Sequence, residues 1–399
     1  MPGPKTTAPE KTDKLAGLKA KLKNIDLKAI REKVESYVLG APDVLGVDIG
    51  TSSVKIVYLK TEGGVRTLKA WGHIPIEVKA EAGPEERRQQ VVSRIRAFII
   101  EKGLSKVHNA AVSISGNAVI VRYVKFPLLT KDELRSTLAT EAEPFIPFDI
   151  NEVQLGFHIL SEITEDGQKK METVLVAAKK EAVQDRVAVL EELSLKPSII
   201  DVDSFAIENV HEAAADPNAQ IGSTLYLNIG HSVTNLSIIE NGVTRVVRDV
   251  FISGSTFTKA VARALQYEVP QAEEAKRKYG ILLDADEKEK VLQEGDRDAL
   301  GVSQAVIGVI KDLVGELHRS VDFYLSQGPE RNIGKIVLAG GSARMKNLSK
   351  ALAAELKVPV DVLNPFSFLS ESPQEIPAEI VPAMSVAVGL ALRKNKDWV

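Results

Sequence analysis

From Val44 the chain alternates β-branched runs with Gly turns: VLGVDIGTSSVKIVYLK, a Gly63-Gly64 turn, then VRTLKAWGHI. Such runs bounded by turn residues predict a meander of three strands. In EERRQQVVSRIRAFIIEKG, Val91, Val92, Ile95, Phe98 and Ile99 share one helical face before Gly103 ends the helix, and AAVSISG follows as a strand. The order so far is β-β-β-α-β. From about Ala118 to Leu195 the pattern is that of a compact α+β module: strand VIVRYVKFP, helix TKDELRSTLATEAE, strands VQLGFHIL and METVLVAAK, helix KEAVQDRVAVLEEL. After Lys196-Pro197 come a strand, SIIDV, and a helix from about Asp203 with Phe205, Ala206 and Val210 on its apolar side.

The first pattern then returns. LYLNIGHSVTNLSIIE, a turn at Asn241-Gly242 and VTRVVRDVFI lie on the earlier meander so that Asn228 falls on Asp48, Gly230 on Gly50 and Ser232 on Ser52. Two long matching meanders in one chain predict a duplicated fold. The rest reads as helical until GKIVLAGGSARMKNLSKAL, where a buried strand Ile336 to Leu338 meets Gly340-Gly341-Ser342 and then a helix. In the closing helix PAMSVAVGLALR, Ala383, Ala387 and Gly389 fall on or near one face, which permits close helix approach.

Residues 1 to about 42 have a different texture. Leu15, Leu18 and Leu22, then Leu27, Ile30, Val34 and Val38, recur among Lys and Glu at near-helical spacing. This is a charged amphipathic extension, either docked on its own body or loosely disordered, or else a helix for a membrane surface or a partner.

At 399 residues and 44% hydrophobic composition the chain exceeds one ordinary core, so two or more packed units are expected. Lys plus Arg number 51 against 54 Asp plus Glu, which leaves no basic field for a phosphodiester backbone and argues against nucleic acid as the main partner. With no Cys, disulfides, thiolate catalysis and cysteine-ligated zinc are excluded. The start lacks an apolar secretion core, and no run of about 18 apolar residues occurs, so neither export nor a transmembrane segment is expected.

The candidate chemistry sits at the turns. Gly50-Thr51-Ser52-Ser53 offers clustered backbone N–H groups and hydroxyls, an anion nest, with Lys55 beyond it as a point charge for a phosphate. Asp48 on the entering strand is placed to hold Mg²⁺ through water; the bland reading is a tight hairpin with an incidental Asp. The second hairpin, Gly230-His231-Ser232-Val233-Thr234, would clamp from the opposite side. Gly340-Gly341-Ser342 lets backbone approach a flat ligand, or is simply a tight turn. There is no GxxxxGK[ST] loop, no GxGxxG after a strand, no HExxH and no GxSxG, so P-loop, dinucleotide, metalloprotease and serine-hydrolase readings lack support.

The ordered segments VDIGTSSVK, IIDVDSFA, LNIGHSVTN, ISGSTFTKA, AEEAKRKYG, VLAGGSARM and PAMSVAVGLAL resemble the phosphate, connecting and adenosine segments of the actin, heat-shock-chaperone and sugar-kinase superfamily, over about residues 44 to 395. Within it, VDIGTSSVKIV and EPFIPFDINEV are similar to the PilM family of type IV pilus proteins, whose inserted 1C module is shared with FtsA. The resemblance implies an α/β, actin-like (ribonuclease H-like), duplicated two-lobed fold with an FtsA/PilM-type 1C insert. It divides the chain into the extension 1–42, the first part of subdomain 1A at 43–117, the 1C insert at 118–195, and a connecting strand and helix of 1A at 196–220. Lobe 2, subdomain 2A with its 2B insert, then takes 221–360, and the segment 361–399 returns to 1A.

For the site, the resemblance implies ATP with Mg²⁺. Asp48 would face the metal; Gly50, Thr51, Ser52, Ser53 and Lys55 would hold phosphates; Gly230, His231, Ser232 and Thr234 would close on them. Asp203 matches the position that orients the attacking water in active relatives, while Gly254 with Lys259, and Gly340, Gly341 and Ser342, would flank the nucleoside. Asn228 stands where the family's second phosphate segment usually has Asp, which implies nucleotide binding with at most slow ATPase activity. The implied role is a cytoplasmic adaptor at the inner face of the inner membrane, holding the N-terminal peptide of PilN between 1A and 1C. Pilus inner-membrane platform proteins and motor ATPases are further implied partners, with membrane association through them. The alternatives are an FtsA-like polymerising, membrane-associated ATPase, for which the tail RKNKDWV is too short an amphipathic helix, an adaptor of a related secretion system, and a sugar kinase, for which no convincing catalytic carboxylate is found.

Overall fold

The computed structural model describes residues 43–77, 83–215, 222–370 and 376–393, so the expected extension over 1–42 and the tail from 394 lie outside the described residues. The first meander forms as the spacing predicts: β1 (Leu45–Ile49), β2 (Ser53–Glu62) and β3 (Val65–Pro75) pair antiparallel. Gly63 and Gly64 both adopt positive φ, 58° and 83°, which matches the right-handed twist of the strands that the turn joins. Helix α1 (Pro84–Glu101) starts with Pro in its first turn and buries Val91, Val92, Ile95 and Phe98. It leads to β4 (Asn109–Ile114), parallel to β1.

The next block is a separate antiparallel sheet. It contains β5 (Val119–Pro127), α2 (Lys131–Ala142), β6 (Val153–Glu165) and β7 (Gln168–Lys179), with strand order β5-β7-β6. Helix α2 starts where Thr130 and Glu133 make a reciprocal capping box, and it lays Leu134 and Leu138 on Phe126 and Leu175 of the sheet. Helix α3 (Lys180–Glu192) also forms. Its buried residues Val189 and Leu190, however, pack with Ile95 and Val112 in the core of the first sheet. Strand β8 (Lys196–Val202) then joins β4 in parallel and completes the first sheet, β3-β2-β1-β4-β8.

Helix α4 (Asp203–Ala213) carries the chain to the repeat. There β9 (Ser223–Ile229), β10 (Thr234–Glu240) and β11 (Val243–Val250) form the second meander, again with two positive-φ residues, Asn241 and Gly242, at its outer turn. Four helices follow, α5 (Gly254–Leu265), α6 (Val269–Tyr279), α7 (Ala285–Glu294) and α8 (Arg297–Leu325). Strand β12 (Lys335–Ala339) is parallel to β9. The helix expected after Gly340-Gly341-Ser342 begins at Leu348, as α9 (Leu348–Leu356), after a run of turns. With β13 (Val360–Val362) the second sheet has order β11-β10-β9-β12-β13, the same topology as the first.

Helix α10 (Ser385–Leu392) returns to the first half. Its Val386 and Leu390, with Ile207 and Val210 of α4, form one apolar cluster with Val57 and Ala111 of the first sheet and Tyr226 and Val337 of the second. Each such buried aliphatic contributes about 1.5–3 kcal/mol, so α4 and α10 are the seam joining the lobes. The approach is close on both sides of α10. A Cβ on Gly46 of β1 would lie 2.2 Å from the Ala387 oxygen, and one on Gly389 would lie 1.8 Å from the Ala206 oxygen. The small residues seen in the sequence are therefore required at this seam. The arrangement is the duplicated, two-lobed actin-like fold with an inserted module after β4.

Candidate functional site

The two inner hairpin turns meet. The Thr51 and Ser232 hydroxyls are 2.8 Å apart although 181 residues separate them in sequence. In the first turn, Gly50 N–H closes on the Ser53 oxygen at 3.1 Å. Opposite one another across β1 and β2, Asp48 and Lys55 form an ion pair of 3.1 Å, largely covered from solvent. The equivalent cross-strand pair in the repeat is Asn228 with Asn235, whose amides bond at 2.8 Å. The duplication has thus kept the geometry and replaced a charged pair by a neutral one. Asn228 is buried and cannot supply the negative charge that an Asp would bring to a cation.

The nucleoside candidates converge on the second turn. Gly254 N–H donates to the Gly230 oxygen at 2.8 Å, Ser255 N–H to the His231 oxygen at 2.8 Å, and Ser342 N–H to the Ile229 oxygen at 3.2 Å. Gly340 adopts φ 85°, and a Cβ there would lie 2.6 Å from the Ile229 oxygen and 2.7 Å from Asn228 Oδ1. Any side chain at 340 is excluded by both conformation and space. Gly341 faces open space. Three expected candidates have other dispositions: Thr234 is fully buried and its hydroxyl donates to the Ile252 oxygen at 2.6 Å, Ser53 is buried, and Lys259 is exposed on α5. Thr234 thus holds β10 to the segment after β11.

Several residues that the motifs did not single out complete the cleft. Arg87, on α1, donates to the carbonyls of Gly50 at 3.0 Å and Thr51 at 2.7 Å, bracing the first turn. Arg186 ties the ends of β1 and β4 through Ile49 and Ser113 oxygens. Lys276 on α6 is buried, with its ammonium 2.7 Å from Glu273, 3.0 Å from the Thr258 hydroxyl and 3.3 Å from the Gly254 oxygen. Burial pulls its pKa down, and Glu273 opposes this. The signal was present in AEEAKRKYG, where Glu273 and Lys276 are one helical turn apart, but periodicity alone does not tell a buried pair from a solvated one.

The electrostatics set protonation states. Burial lowers the His231 pKa, opposed by Glu273 and helped by Lys276, Lys259 and Arg87, which favours the neutral imidazole. Asp203, the first residue of α4, has its pKa pushed up to about 6, first by burial and then by Asp48 and Asp249; hydroxyls of Ser113 and Ser115 oppose the shift. A carboxyl with a folded pKa above its unfolded value binds more protons folded than unfolded, so it withdraws stability as pH rises from about 4 through about 6. Asp203→Asn is therefore expected to melt together with the wild type at pH 4 and above it at pH 7. A rise from about 4 to about 6 corresponds to about 3 kcal/mol, so the gap should be roughly 6–12 °C, at about 2–4 °C per kcal/mol in a domain somewhat smaller than this. Parallel thermal melts at the two pH values check this, and equal melting points at pH 7 would refute it.

A nucleoside triphosphate fits this donor set: two facing turns rich in N–H and hydroxyl groups, Lys55, and a cradle at Gly340 and Gly254 that side chains would fill. For a divalent cation the cleft offers Asp48, with Asp203 near enough to feel its charge, and among the described residues no three His, Asp or Glu side chains converge. That matches Mg²⁺ held mainly by water and phosphate oxygens.

Comparison with known proteins agrees with the fold. The family model described as type IV pilus assembly protein PilM matches residues 46–395. A solved PilM–PilN type IV pilus biogenesis complex superposes with a TM-score of 0.73 at 27% identity, covering 88% of this chain and 98% of that one. The cell division protein FtsA of Pseudomonas aeruginosa is 24% identical over 387 residues, 89% of this chain and 90% of the relative.

Proposed function

Because this chain belongs to the type IV pilus assembly protein PilM family, we propose that it is a nucleotide-holding adaptor: ATP sits between its two inner hairpins, and a short N-terminal peptide of PilN sits between the insert and the first lobe. The observation that carries the nucleotide half is the Thr51–Ser232 contact of 2.8 Å, which gives a phosphate chain donors on both sides. Gly50, Thr51, Ser52 and Lys55 would hold phosphates from one lobe, Gly230, His231 and Ser232 from the other, and Gly254, Gly340 to Ser342 and the Glu273–Lys276 pair would border the nucleoside. ATP would bring negative charge that Lys55 and the turn N–H and hydroxyl groups would stabilise, and Asp48 would hold a Mg²⁺ that neutralises part of it.

Hydrolysis is expected to be slow. Asn228 brings no second carboxylate to the metal, and that departure, not Asp203, is what limits turnover: with a pKa near 6 Asp203 would be ionised at pH 7 and able to orient water and accept its proton. The expected result is that purified protein retains ATP and turns it over at less than about 1 per second. Faster turnover would overturn the assignment of Asn228 as the limiting departure.

The PilN half rests on the relative solved as a PilM–PilN complex and on a cavity of about 120 Å³. Tyr123, His158 and Leu160 of the insert line one side of it, and Phe205, Glu208 and Arg393 the other. The Tyr123 hydroxyl is buried there with no hydrogen-bond partner among the described residues. An unpaired buried hydroxyl is costly, which favours an incoming polar group. Isothermal titration with the N-terminal cytoplasmic peptide of PilN tests this, since no heat at any concentration rejects it. Leu160→Trp, which fills the cavity from β6, is expected to weaken the peptide at least about tenfold by displacing side-chain contacts of 1.4 kcal/mol or more, while ATP affinity is unchanged. We also infer that this adaptor works at the cytoplasmic face of a membrane, held there through its partner, a reading supported by the relative solved as a PilM–PilN complex; among the described residues no helix is long and apolar enough to cross a membrane.

A further inference from the structure

A row of polar side chains runs straight across the second meander and out of it. Asn228, Asn235 and Asp249 are directly opposite one another on β9, β10 and β11. Asn228 Nδ2 donates to Asn235 Oδ1 at 2.8 Å, and Asn235 Nδ2 donates to Asp249 Oδ1 at 2.7 Å. The other carboxylate oxygen, Asp249 Oδ2, accepts the backbone N–H of Gly116 at 2.6 Å. Gly116 opens the 3₁₀ turn between β4 and β5, the entry to the insert. Both asparagines are buried. One end of the row touches the nucleoside loop, where Asn228 Oδ1 lies against Gly340, and the other grips the module that lines the peptide cavity.

We propose that this row couples the nucleotide cleft to the peptide cavity, so that filling one changes affinity at the other through the Asp249–Gly116 bond. The inference rests on the adaptor reading above. Its physical basis is that hydroxyls 2.8 Å apart at Thr51 and Ser232 have no room between them for a phosphate group, so a phosphate chain bridging both turns must part them. Parting the turns shifts the second lobe against the first. The Asp249–Gly116 bond spans that same boundary, a few residues from Asp203 through Ser115, and a charge-assisted bond of this kind is short and directional. It therefore follows the shift or breaks, and either changes how the insert is held. A second tie, Arg245 of β11 with Glu172 of β7 at 2.8 Å, joins the same edge strand to the insert, and its other partner, Glu240 at 3.4 Å, is at the end of β10 away from the phosphate turn, which makes it the natural control.

The experiment is a pair of titrations of the full chain with the PilN N-terminal peptide, with and without saturating ATP–Mg²⁺. In the wild type, ATP is expected to change the peptide Kd at least about fivefold, the low end of ordinary coupling between sites. Asp249→Ala should bring that ratio to about 1 while each ligand alone still binds. Asp249→Asn keeps the size but has only one oxygen for two donors, and should bring the ratio most of the way to 1; it serves if the alanine variant folds poorly. Glu172→Gln should keep the wild-type ratio. A wild-type ratio of 1, an unchanged ratio in both Asp249 variants, or equal loss in Glu172→Gln would each overturn the row's role. If the wild type binds only one ligand or neither, the adaptor reading itself falls, and the row's role with it.

Discussion

Gly389→Ala is expected to lower the unfolding free energy by about 3 kcal/mol or more, the upper end of what overpacking does. The added Cβ would lie 1.8 Å from the Ala206 oxygen and 2.4 Å from its carbonyl carbon, both backbone atoms of α4 that have no rotamer to escape into. Helix α10 cannot back away, because Gly46 of β1 is as close on its other side. The substitution would thus push apart the seam on which both lobes rest. Urea melts check it against Gly308→Ala, an exposed position in α8 with nothing within 4 Å. There the same change should stabilise by about 0.5–1 kcal/mol through helix propensity. Equal effects at the two positions would show that close approach is not what Gly389 is for.

Lys55→Ala is expected to weaken ATP binding roughly 100-fold, or about 2.7 kcal/mol. A charge-assisted bond to phosphate accounts for about 1.5–3 kcal/mol. Its loss also leaves Asp48, now 3.1 Å from the ammonium, facing the triphosphate without a counter-charge. Titration of nucleotide-stripped protein reads this directly, and a Kd within about threefold of the wild type would remove Lys55 from the phosphate site. The same variant should abolish most of the rise in melting temperature that saturating ATP gives the wild type, since ligand stabilisation scales with RT ln(1 + [L]/Kd).

Both predictions depend on how the two halves have diverged. The first hairpin keeps opposite charges across its strands, Asp48 with Lys55, and the second keeps two amides, Asn228 with Asn235. A neutral pair can be extended sideways without charge repulsion, and Asp249 does so. The asymmetry that weakens the metal site is thus the same one that allows the row to reach the insert.

Much of this molecule was legible in the chain itself because the information is local. Alternation of β-branched residues, the Gly63-Gly64 and Asn241-Gly242 turns, the Thr130–Glu133 box and the repeated Ile-Gly hairpin each act within a few residues, where sterics and capping decide conformation. The matching of Asn228 to Asp48 followed from that local pattern, and so did the duplication, while the actin-like architecture was implied by the family resemblance of the motif segments. Where a helix packs is a different matter: α3 looked part of the insert, and its apolar face went to the first sheet, because amphipathicity says that a face is buried and not against what. Thr234 and Lys276 show the same limit, since the bond from Thr234 to Ile252 and the burial of Lys276 against Glu273 arise only when strands and helices far apart in sequence are packed. Desolvation and long-range pairing are properties of the assembled interior. They alone set the Asp203 carboxyl near 6, brought Thr51 to Ser232, and carried a row of amides from a phosphate hairpin to the door of the insert.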